Sequence, residues 1–129
     1  TLWNSFHGRT LTTLAATGQD HFHKDFQPLT PGFAHVEANN IAQLQDAVDT
    51  LNPAGIMLEC VQGEGGVNPL TPDYVKTAAA LAQERDIPLI IDEQLRQIRA
   101  GEPVTLCNYR KEGAEAARKL QQAINIRKG

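Results

Sequence analysis

Apolar positions along the chain follow two rhythms. Compact apolar runs, Ile56-Met57-Leu58-Glu59-Cys60 and Ile87 to Ile91, predict short buried strands, and the segments around them carry apolar residues at helical spacing. Ile41, Leu44, Val48 and Leu51 predict a helix that Asn39 or Asn40 caps and Pro53 stops. Thr71, with Pro72 at the first helical position and Asp73 in the first turn, opens a second helix with an apolar face of Val75, Ala78, Ala79 and Ala82. Upstream, Thr1 to Phe6 reads as a short strand, His7-Gly8 as a turn, and Thr10 to Thr17 as a short helix ended by Gly18. Residues 19–32, with His21, His23, Pro28, Pro31 and Gly32, read as loop, and Phe33 to Val36 as a strand. Downstream, Gln94 to Ala100 reads as a helix closed by Gly101, Pro103 to Cys107 as a strand, and Gly113 to Ile124 as an alanine-rich amphipathic helix.

Strands alternating with helices predict βαβ crossovers and an α/β fold with a mainly parallel sheet. Ligands of such sheets gather at the carboxyl ends of the strands. Two strands in succession end there in acids. The first runs through Glu59 into Gly63-Glu64-Gly65-Gly66, and the second ends in Asp92-Glu93. One such strand end reads as an ordinary solvated turn, whereas two with a helix between them point to a site.

Composition narrows the picture. A length of 129 residues with 41% hydrophobic content suits one domain, 1–129, able to bury a core. A net charge of −3 without a long basic run argues against nucleic acid as a partner. No apolar run reaches the length of a membrane span and no signal-peptide pattern stands at the start, so a cytoplasmic location without membrane contact is expected. Cys60 and Cys107 read as buried thiols of a reducing compartment, with a disulfide as the open alternative. The first residue is Thr1, and strand character begins with it, so the chain is expected to be a piece of something longer. His21 and His23, with His35 and an acid, could bind zinc, but without cysteine partners no metal site is expected. Gly63-Glu64-Gly65-Gly66 could cradle a phosphate, but it lacks the lysine and hydroxyl of a P-loop, and Glu64 would repel the anion.

Asn4-Ser5-Phe6-His7-Gly8-Arg9-Thr10, Glu59-Cys60-Val61-Gln62-Gly63-Glu64-Gly65-Gly66 and Ile90-Ile91-Asp92-Glu93 resemble, in order and spacing, successive motifs of the class III aminotransferases. These enzymes use pyridoxal phosphate, and within the family the acetylornithine type is the most similar. The resemblance covers residues 1 to about 93. It implies part of a three-layer large domain, a mainly parallel sheet with helices on both faces. It also implies that Phe6 stacks on the cofactor ring, that His7 and Gly8 shape the turn beside it, and that Asp92 pairs with the pyridine nitrogen. Glu59 and Glu64 would lie on the substrate side. The plain alternatives are a core aromatic for Phe6, a solvated acid for Glu64, and a helix cap or surface acid for Asp92.

Beyond Glu93 the family pattern is not followed. Leu95 stands where a glutamine is expected, and neither Lys111 nor Lys119 has the setting of the Schiff-base lysine. The phosphate-binding helix start would lie upstream of residue 1, and the arginine for the substrate carboxylate in a further domain. The expectation is therefore a truncated or chimeric segment without catalytic residues or bound cofactor of its own, with residues 94–129 as a non-matching strand–helix tail. The parent would transfer an amino group between N-acetylornithine and 2-oxoglutarate in arginine biosynthesis. The alternative is a recombined or designed non-catalytic α/β scaffold. A cut sheet would expose an edge through which copies of the chain could pair.

Overall fold

The two apolar runs become neighbouring strands. In the computed structural model, which describes residues 1–92 and the backbone at 107–108, the elements in chain order are α1 (Leu11–Ala16), a single 3-10 turn (Asp20–Phe22), α2 (Ile41–Leu51), β1 (Ile56–Leu58), β2 (Val61–Gln62), β3 (Asn68–Pro69), α3 (Pro72–Glu84), β4 (Leu89–Ile91) and β5 (Cys107–Asn108). β1 and β4 pair in parallel, Ile56 with Leu89 and Leu58 with Ile91, and α3 is the crossover between them. β5 joins the other edge of β4 antiparallel, placing Cys107 opposite Ile91. The helices expected at 94–100 and 113–124, and residues 103–106 of the expected strand, lie outside the described residues.

Both long helices start where their caps predict. Asn40 Oδ1 accepts the Gln43 N–H at 3.0 Å, and Thr71 Oγ1 accepts that of Tyr74 at 3.3 Å. Each satisfies a backbone donor that the first helical turn leaves open. Asn52, in the left-handed region at φ 45°, ends α2 one residue before Pro53. α2 buries Leu44 and Val48, and α3 buries Tyr74, Val75, Ala78 and Ala82. These meet Ile56 and Leu58 of β1, Leu89 of β4, and Leu2, Val36, Cys60 and Leu70 in one core. Asp49 and Arg85 form an ion pair that ties α2 to α3 at the surface. Among the described residues no helix is long and apolar enough to cross a membrane.

Three local expectations change. The segments 1–6 and 33–36 do not become strands of the sheet; they meet in a single parallel bridge between Leu2 and Val36. Leu2 is nevertheless in the core, at 1% exposure. The stretch after β1 is a hairpin, with Val61 opposite Pro69 and Gln62 opposite Asn68. Its glycine-rich loop turns inward on itself, because the N–H groups of Gly66 and Val67 both reach Gly63 O at 3.3 Å. Those donors are thus unavailable to a phosphate. Strands of two residues are too short to show alternation, which is why the hairpin has no sequence signature.

Candidate functional site

The site forms where the N-terminal segment crosses the carboxyl edge of the sheet. Asp92 follows β4 directly, and its N–H bonds Leu58 O at 2.9 Å, which extends the β1–β4 ladder to the carboxyl end. Its Oδ2 lies 3.0 Å from Nδ1 of His7, a partner 85 residues away in sequence. The two side chains are 11% and 0% exposed. In so dry a setting a charge-assisted hydrogen bond is stronger and geometrically stricter than at the surface. His7 Nε2 is buried and has no hydrogen-bond partner among the described residues.

Side chains, more than a strand ladder, hold the segment that carries His7. The His7 N–H donates to Thr17 Oγ1 at 2.9 Å. Gly18 N–H is shared between Ser5 O and Ser5 Oγ, each at 3.1 Å. Gln62, 1% exposed, reaches from β2 to donate to Trp3 O at 2.7 Å. A Cβ at Gly18 would stand 2.0 Å from Leu2 O, so only glycine lets the two segments run this close.

Glu59, 1% exposed at the end of β1, accepts the Phe6 N–H on Oε2 at 3.0 Å. The half-buried Phe6 ring meets Phe22 edge-on, with centroids 5.5 Å apart. The Arg9 guanidinium lies over both rings, 5.8 Å from Phe6 and 5.1 Å from Phe22. Such contacts fix the orientation of the ring.

Four of the five residues singled out from the sequence, Phe6, His7, Glu59 and Asp92, are therefore brought together. Glu64 is exposed in the hairpin loop, whereas Glu59 is buried. Thr17 and Phe22 were not singled out. In the sequence Thr17 reads as a helix end, and Phe22 stands between two histidines whose pattern suggests a metal. Those histidines have other work. His23 Nε2 lies 3.0 Å from Leu14 O and His35 Nε2 lies 3.2 Å from Ala16 O, while His21 packs on Phe22 with ring centroids 4.0 Å apart. Among the described residues no group of histidine, cysteine or acid side chains is arranged to hold a metal ion.

Residues 1–101 match the family profile described as Aminotransferase class-III. The acetylornithine aminotransferase of Caldanaerobacter subterraneus subsp. tengcongensis is 50% identical over 90 residues, 70% of this chain and 23% of that protein. The acetylornithine aminotransferase of Thermosynechococcus vestitus is 43% identical over 116 residues, 86% of this chain and 28% of that protein. A solved structure of the ornithine aminotransferase from Toxoplasma gondii, with partial occupancy of PLP at its active site, is similar with a TM-score of 0.66 and 32% identity, covering 77% of this chain and 22% of that one. This chain spans about a quarter of the length of these relatives. The family match runs to residue 101, past Glu93 where the motifs stop.

Proposed function

The chain belongs to the class III aminotransferase family, and from that membership we propose that residues 1–92 form the middle of the pyridoxal-phosphate-binding large domain of an acetylornithine-type enzyme. The observation that carries this reading is the buried Asp92–His7 pair at the carboxyl edge of the sheet, at 3.0 Å, with Phe6 beside it. The residues fit the cofactor. Asp92 would take the pyridine nitrogen, Phe6 would cover one ring face, and the buried His7 Nε2 is a polar atom left without a partner among the described residues. When bound, pyridoxal phosphate supplies an electron sink for bond breaking at the amino-bearing carbon.

The chain's own residues do the rest. The Asp92 carboxylate favours a proton on the ring nitrogen, and His7 Nδ1 holds that carboxylate in place. Phe6 excludes water from the face it covers, and Glu59 secures Phe6 through its backbone N–H. Glu64 would meet the substrate from the exposed loop. The parent would move the amino group between N-acetylornithine and 2-oxoglutarate in the cytoplasm, as a step of arginine biosynthesis.

We expect no turnover from these 129 residues by themselves. Proton transfer needs a lysine at the reacting carbon. Lys24 and Lys76 are both exposed, and Lys76 pairs with Asp73 at 3.7 Å. Self-association belongs to the same reading, because β1 pairs on one side only among the described strands. Sedimentation velocity over a concentration series reads it, and a concentration-independent monomer would refute it.

Titration with pyridoxal phosphate, then borohydride reduction and intact mass, tests the proposal with Asp92→Ala as control. The sequence alone predicts no cofactor bound by this chain, but the fit of Asp92, Phe6 and His7 leads us to expect reversible quenching of Trp3 that weakens in the variant, with no single-lysine adduct and no turnover. Quenching indifferent to Asp92 would overturn the cofactor reading and leave a non-catalytic scaffold. A single adduct at one lysine, or turnover, would overturn the expected inactivity.

A further inference from the structure

We propose that Thr17 is the positioning residue that sets His7 against Asp92. The functional meaning of this rests on the cofactor reading above; the geometry does not. Thr17 is fully buried at 0% exposure, and its hydroxyl is the meeting point of three backbone segments. Oγ1 accepts the His7 N–H at 2.9 Å and lies 3.0 Å from Thr13 O and 3.3 Å from Gly8 O. A hydroxyl has one proton and two lone pairs. It therefore donates to the nearer carbonyl, Thr13 O, which points the lone pairs back toward His7. The hydroxyl thus links the last turn of α1 to the backbone N–H of His7.

The support behind Thr17 is itself well anchored. Its N–H bonds Thr13 O at 3.0 Å and Leu14 O at 3.2 Å. The next carbonyls of the same turn are engaged from afar, Leu14 O by His23 and Ala16 O by His35. A six-residue helix is too short to be stable alone, so these contacts hold it. His7, in contrast, has no ladder partner in the sheet. Its backbone orientation depends on Thr17, and among the described residues its imidazole has one hydrogen bond, to Asp92. Removing the hydroxyl would free the main chain of His7 to rotate, and Nδ1 would move with it.

The test follows two signals in the full chain by NMR, the hydrogen–deuterium exchange of the His7 backbone amide and the exchange-protected Nδ1–H resonance of His7. In the unmodified protein the His7 amide is expected to be protected relative to that of the exposed Arg9. An equally fast His7 amide would overturn the proposal with no variant needed. Thr17→Val should speed His7 amide exchange about five- to a hundredfold, the range for a buried donor left without its acceptor, and should broaden the Nδ1–H signal. Thr17→Ser should restore both. Thermal midpoints of the two variants are measured alongside. A Thr17→Val protein that unfolds leaves the wild-type protection and the serine rescue as the deciding arms. An unchanged Nδ1–H in folded Thr17→Val, or failure of serine to rescue, would overturn the assignment.

The pyridoxal phosphate titration separates this idea from the one it rests on. If quenching depends on Asp92 while Thr17→Val leaves His7 undisturbed, the positioning role fails alone. If quenching ignores Asp92 while Thr17→Val releases His7, the cofactor reading fails and the positioning role stands.

Discussion

Gly65 lies so close to Asn4 that a Cβ on it would stand 2.3 Å from the Asn4 carbonyl oxygen. The hairpin loop is thereby pressed onto the N-terminal segment two residues before Phe6, and Gln62 fastens the same contact from the hairpin's base by donating to Trp3 O at 2.7 Å. Asn4 sits in the left-handed region at φ 63°. Gly65→Ala must push the two backbones apart. The expected cost is roughly 1–3 kcal/mol, as for other overpacked contacts. Denaturant unfolding reads it, and a wild-type midpoint would contradict the close approach.

The Asp92–His7 pair predicts a coupling energy. Asp92→Ala leaves a buried Nδ1 without its acceptor and should cost roughly 1–3 kcal/mol. His7→Leu should cost a similar amount, and the double variant less than the sum, because the two groups share one interaction. Additive losses in the four-protein cycle would mean that the contact contributes nothing.

Acid should weaken the N-terminal half through His35. Burial, and then the N-terminal ammonium, hold its imidazole below the ordinary value of 6.5, while the Ala16 carbonyl pulls the other way. Its ring stacks on Trp3 with centroids 4.8 Å apart. The folded state prefers the neutral ring, so this contribution is fully present above 6.5 and is lost as the pH falls below it and through the depressed value. His35→Gln, which keeps an N–H donor and cannot titrate, should flatten that loss. Trp3 fluorescence during urea unfolding across the acid range is the direct readout.

Alkali should act through Tyr74. Its phenol is 0% exposed, its hydroxyl has no hydrogen-bond partner among the described residues, and burial pushes its pKa from 10.0 up to about 12. The folded state therefore favours the neutral phenol, and the contribution is present below pH 10 and lost as the pH rises from 10 through 12. Tyr74→Phe removes a buried polar group that gains nothing in return. Its stability at neutral pH should be unchanged or higher by up to about 1 kcal/mol, and its alkaline loss shallower. A clear destabilisation at neutral pH would show that the hydroxyl has a partner.

Much of the framework was legible in the residues because it rests on local rules. Asn40 and Thr71 cap α2 and α3 as their side chains predict, since a cap is a contact across three residues. Ile56 to Leu58 and Leu89 to Ile91 are strands, and the helix between them makes the pairing parallel. Leu2 is the contrary case. Its segment reads as a strand, yet its burial comes from packing against the core and from one bridge to Val36.

The sequence by itself determined the α/β alternation and the helix starts, because spacing and capping chemistry are local properties, while Phe6, His7, Glu59 and Asp92 stood out through the resemblance to the class III aminotransferases. Only the tertiary structure decided that His7 meets Asp92 across 85 residues, that Gly63-Glu64-Gly65-Gly66 closes a hairpin, and that Thr17 holds the His7 backbone. It also separated Glu64, exposed on the loop, from the buried Glu59. Such contacts join residues that no local pattern relates, and their geometry exists only once the core has brought the segments within hydrogen-bond distance.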